Sequence, residues 1–155
     1  MAESTASAAS DDDEPRSVYV IEIAPRWYST IGPEVTEGMK CLYVGESKSP
    51  PGKRFTQHRR GHGFLKRGGT AAASPFRAIA AARRSAGLTG TLIDGEDAWL
   101  RRDLMEGLAP EPAVGKAAAL ALELATAERL RSDGYFVIGP KPPRAERRKR
   151  NRAQA

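Results

Sequence analysis

The 155-residue chain has room for one compact domain plus tails. Its single cysteine, Cys41, excludes an internal disulfide and, with only His58 and His62 beside it, a four-ligand structural zinc; no apolar run approaches the ~20 residues of a membrane span, so a cytoplasmic protein without a membrane partner is expected. The net charge of +6 equals the surplus of residues 141–155 alone, and the body between the tails is basic as well, which points to a polyanionic partner, nucleic acid above all.

Residues 1–15 are small, polar and then acidic, a composition that cannot bury enough surface to fold. Ser17–Ala24 alternates β-branched and aromatic residues and reads as a strand. Tyr19, Ile21 and Ile23 share one face of it; Val18, Val20 and Glu22 share the other. Residues 25–40 contain two Pro and two Gly and read as a long loop. Lys40–Glu46 is a second strand, expected to pair antiparallel with the first.

Ser49-Pro50-Pro51 then opens a helix, with Ser49 as its cap and a Pro in the first position. It runs to about Arg60, where Gly61 and Gly63 end it. Residues 75–86 and 97–107 are further helices, with a loop-like stretch between them. Val114–Asp133, rich in Ala and Leu and stopped by Gly134, is the strongest helical signal. Tyr135–Gly139 is a short apolar strand, and residues 141–155 read as a disordered basic tail. The folded domain is thus expected over residues 16–140, as a small α/β sandwich with a central, mainly antiparallel sheet flanked by helices.

Three short blocks carry candidate chemistry. Tyr43-Val44-Gly45-Glu46-Ser47 runs an aromatic strand end into a glycine, which permits close approach of a ligand. In Lys53–Arg60 the pair Arg54 and His58 is four residues apart and shares one helix face. From Lys53 to Arg67 there are six bases and no acid, which suits a phosphate-facing surface built from Lys53, Arg59, Arg60, Lys66 and Arg67. The plainer reading is a solvated basic face with an incidental His. Glu123 falls on the same helical stripe as Leu120, Ala127 and Leu130, and a carboxylate on an apolar stripe is costly unless it is paired or binds a metal. Its plainer reading is a salt bridge to Arg131 or Arg54.

Taken in order, these blocks resemble the GIY-YIG nuclease superfamily, and in particular its small stand-alone bacterial members. Ser17-Val18-Tyr19 and Tyr43-Val44-Gly45 stand as the two tripeptides on neighbouring strands, with Ser17 where the family name has Gly. Arg54 and His58 stand on the first helix, and Glu123 on a later one. The loop between the tripeptides is longer than usual, and residues 61–112 carry no matching block. The resemblance implies a metal-dependent endonuclease acting on nucleic acid, DNA being the expected form. Tyr19, Tyr43, Arg54, His58 and Glu123 would be catalytic, and Glu123 would hold one Mg²⁺ or Mn²⁺ ion. One of the two phenols would take the proton of the attacking water, its ionised form favoured by neighbouring cations. The rival readings are a non-catalytic nucleic-acid-binding module of the same fold and a domain whose basic helix binds an acidic protein.

Overall fold

The computed structural model describes residues 13–32, 38–60 and 75–141, and Arg152 of the basic tail. Most of both expected tails, and Lys66 and Arg67, lie outside the described residues.

The chain forms an α/β fold with a central mixed sheet and flanking helices. Strand β1 (Pro15–Ile23) is its axis and is buried on both faces. It pairs antiparallel with β2 (Cys41–Ser47), placing Tyr19 opposite Gly45 and Val18 opposite Glu46. On its other side it pairs antiparallel with β3 (Ala98–Leu100), and its first residues pair with β4 (Ala113–Val114). Strand β5 (Phe136–Ile138) runs parallel to β2 and ends opposite Tyr43, so the strand order is β3-β1-β2-β5.

The alternation along β1 divides the core in two. Tyr19, Ile21 and Ile23 face a cluster with Phe55, Phe76, Ile79 and Ala80 from α2 (Pro51–Arg59) and α3 (Pro75–Ser85). Val18 and Val20 face Leu42, Val44, Ala127 and Leu130, the last two from α5 (Lys116–Ser132). A period of two sends successive side chains to opposite layers, which is what the sequence pattern anticipates.

Four local expectations need correction. Residues 25–40 are not all loop: a 3-10 turn (Pro25–Trp27) leads into α1 (Tyr28–Ile31). Long-range bonds hold this turn, with the Trp27 indole N–H donating to Asp97 and the Tyr28 hydroxyl accepting from the Cys41 amide. Helix α2 starts after Pro50 rather than Ser49, and no side chain caps it. The expected helix 97–107 is split, β3 coming first and α4 (Arg102–Leu108) after it. Pairing of Leu100 with Ile21 claims the first part for the sheet, and the Arg101 guanidinium, 2.6 Å from Glu22, anchors the break. Leu120 is 46% exposed, so the buried stripe of α5 runs instead through Ala119, Thr126, Ala127 and Leu130. Glu123 remains in line with that stripe, four residues from Ala119 and from Ala127.

Among the described residues, no helix is long and apolar enough to cross a membrane.

Candidate functional site

The site is built where β1, β2 and α2 meet. Tyr19 reaches it from the middle of β1 and Tyr43 from β2, two residues before Gly45. Register makes Tyr19 and Gly45 cross-strand partners on one face. A methyl group at Gly45 would overlap the Tyr19 phenol, so glycine is needed there for the ring to lie flat across β2.

The i, i+4 spacing puts Arg54 and His58 on the inward face of α2, with Phe55 anchoring the helix in the core. The Tyr19 hydroxyl lies 2.9 Å from Nε2 of His58. The Tyr43 ring meets His58 edge-on at 5.3 Å between centroids and stands 6.2 Å from Tyr19. Phe76 closes the back of the cluster, 4.6 Å from His58 and 5.0 Å from Tyr43.

This environment sets the protonation states. Burial first, and the Arg54 charge second, push the His58 imidazolium down to about 3, so the ring is neutral at physiological pH. Its other nitrogen, Nδ1, is buried without a hydrogen-bond partner among the described residues. Burial raises both phenols above their ordinary value. Arg54 works against that rise in each, while the Glu123 charge adds to it. Arg54 thus favours the phenolate of each tyrosine, as expected of a neighbouring cation, but burial outweighs it. The tyrosines also differ in access. Tyr19 is only 1% exposed, whereas Tyr43 is half-buried.

Glu123 approaches from α5. Burial first, and the nearby Glu46 carboxylate second, raise it to about 7, with Lys116 opposing. Of the partners suggested by the plainer reading, Arg131 turns instead to Glu128 at 2.8 Å and to the Pro140 carbonyl at 2.7 Å, and the groups acting on the Glu123 charge are Glu46 and Lys116. No hydrogen bond or ion pair holds Glu123 among the described residues.

No family model matches the chain, and no curated protein or solved structure matches it.

The structure brings together Tyr19, Tyr43, Arg54 and His58, with Glu123 within electrostatic reach of both phenols. Of the remaining basic candidates, Lys53 and Arg60 are exposed. Arg59 is half-buried and serves the fold, its Nε donating to the Leu92 carbonyl at 3.0 Å while its guanidinium lies over Phe55.

Three residues absent from the sequence reading as site groups also lie here. Glu46 accepts from Arg16 at 3.1 Å and from Lys116 at 2.5 Å. These three line a cleft of about 410 Å³ together with Lys48, Arg54 and Gln57. Glu46 stands next to Gly45, and that adjacency was the only local signal. Arg16 and Lys116 come from the starts of β1 and α5, and nothing in the sequence joins them.

Proposed function

We propose that this protein is a metal-dependent endonuclease of the GIY-YIG type, hydrolysing phosphodiesters of nucleic acid, DNA in the first instance. The observation that carries the reading is the Tyr19–His58 hydrogen bond of 2.9 Å, formed in a buried aromatic cluster with Arg54 and Tyr43 beside it. A chain of titratable groups with strongly shifted protonation, beside a cleft that Arg54 lines, is the arrangement that proton transfer requires. The order of the sequence blocks supports the same reading.

Access assigns the phenols different roles. Tyr43, half-buried, meets the attacking water; Tyr19, enclosed, hydrogen-bonds to Tyr43 on one side and His58 on the other. As the water oxygen bonds to phosphorus, the bridging P–O bond to the departing sugar oxygen breaks, that oxygen takes a proton from solvent, and the proton of the attacking water passes to the Tyr43 oxygen. The Tyr43 proton moves to Tyr19, and the Tyr19 proton to Nε2 of His58. The negative charge developing on the phosphoryl oxygens favours the resulting imidazolium, which the empty site disfavours. Arg54 neutralises those oxygens with its guanidinium fork.

Glu123 suits a hard cation. It offers oxygen donors, and burial and the Glu46 charge beside it raise its proton affinity against the pull of Lys116, so a positive charge placed there would be favoured. Glu123 would hold Mg²⁺ or Mn²⁺, which would supply neutralisation of the charge that builds up in the reaction. Among the described residues no three His, Cys, Asp or Glu side chains gather into a ligand cluster, so waters and substrate oxygens would complete the coordination.

The test is cleavage of labelled duplex, single-stranded and branched DNA, and of RNA, with Mg²⁺ or Mn²⁺, beside Arg54→Ala and Glu123→Gln. Cleavage by the wild type alone supports the nuclease. Binding without cleavage, equal in wild type and the Glu123 variant, favours a non-catalytic binding module.

A further inference from the structure

We infer that the cleft beside the catalytic cluster seats a second phosphate of the substrate strand, adjoining the one that Arg54 and Glu123 handle. Arg16, Lys48 and Lys116 are the positioning groups. The inference rests on the nucleic-acid reading above and adds the residues that align the strand.

The cleft of about 410 Å³ is lined by four cations, Arg16, Lys48, Arg54 and Lys116, against one carboxylate, Glu46. Glu46 receives both Arg16 and Lys116, and a single negative charge cannot neutralise two positive ones. Lys48 pairs with Glu14 at 2.8 Å at the rim. Arg16 and Lys116 are held in place before any ligand arrives. Arg16 is 8% exposed, and its Nε is buried without a hydrogen-bond partner among the described residues. Glu46 therefore acts as a brace that orients two cations. Cations fixed by folding lose little further freedom on binding an anion.

Neutral donors complete the lining. The Ser47 oxygen accepts the Ser49 amide at 3.0 Å, which leaves the Ser47 hydroxyl proton available to donate. The first turn of α2, which follows directly, contains no acidic residue. Arg54 belongs both to this cleft and to the tyrosine–histidine cluster. An anion in the cleft is thus a neighbour of the reacting one, as successive phosphates of one strand are. A chain of phosphodiesters fits this pair of sites; an isolated phosphate would fill only one.

The experiment measures binding of a labelled single-stranded oligonucleotide to the full chain in EDTA, across a salt series. Lys48→Gln with Lys116→Gln is expected to weaken binding about tenfold and to flatten the slope of log Kd against log salt by about one to two. Arg77→Gln with Arg129→Gln removes the same charge from exposed positions on α3 and α5 and is expected to change the slope less. Lys116→Arg should restore most of the affinity. Lys48→Glu, at a side chain 42% exposed, gives the same sign of effect without a core lesion. An unaltered slope in the cleft variants, or an equal loss in the Arg77 and Arg129 variants, overturns the inference. So does displacement of the strand by inorganic phosphate as readily as by unlabelled strand, which would mark a free-phosphate site. Wild type that binds the strand but cleaves nothing would count against the nuclease reading while leaving this one standing.

Discussion

Two polar clusters pack against the same sheet, and they are satisfied to different degrees. Asp97 is fully buried and accepts from the Ile93 amide at 2.7 Å, the Trp27 indole at 2.9 Å, Arg83 at 2.9 Å and Arg26. Burial alone would raise its carboxyl; these donors hold it below the usual range. The network ties the loop after α3 to the turn after β1 and leaves no lone pair for a ligand. In the other cluster, among the described residues, one nitrogen of His58 has no partner and Glu123 has neither hydrogen bond nor ion pair. A complete shell makes a structural clamp. An incomplete one keeps binding capacity at a cost in stability.

The comparison breaks most sharply at Asp97. Asp97→Ala leaves Arg83, 4% exposed, buried without its carboxylate, and should destabilise the fold by about 3–5 kcal/mol in urea unfolding. A loss below about 1 kcal/mol would mean that the cluster is not a clamp. Glu123→Gln is its counterpart, expected to lower kcat/KM at least about a hundredfold, or about 2.7 kcal/mol in the barrier, with the urea midpoint unchanged or higher. Parallel losses of stability and activity there would place Glu123 among the structural groups.

Gly45→Ala tests the floor of the site. The added methyl crowds the Tyr19 ring and should cost about 1–3 kcal/mol of stability, with a larger fall in kcat than in substrate affinity. A fully active variant would show that Tyr19 need not lie over β2.

The smallest effect expected is a pH dependence, and its sign separates the Glu123 carboxyl from the His58 imidazole. Glu123 is raised to about 7 from an ordinary 4.5, so the native state holds its proton more tightly and loses that stability as pH rises between those values. Glu123→Gln should therefore gain stability relative to wild type from pH 4.5 to above 7. His58, lowered to about 3 from 6.5, acts in the opposite sense. Its neutral form stabilises the fold above pH 6.5, and that contribution is lost as pH falls toward 3. A pH-independent difference between wild type and Glu123→Gln would show that burial and Glu46 do not hold the Glu123 proton.

Sequence alone determined the layers. Alternation in β1 separated Tyr19, Ile21 and Ile23 from Val18 and Val20, and helical spacing paired Arg54 with His58 and set Glu123 on the inner stripe of α5; these are local periodicities, repeated every two or every 3.6 residues. Only the tertiary structure decided which phenol is enclosed, that Leu120 faces solvent, that residues 98–100 join the sheet, and that Arg16, Glu46 and Lys116 meet. Those facts depend on contacts between segments 30 to 79 residues apart, as in the Arg16–Glu46 and Arg101–Glu22 pairs, and no local pattern encodes where a distant partner will dock.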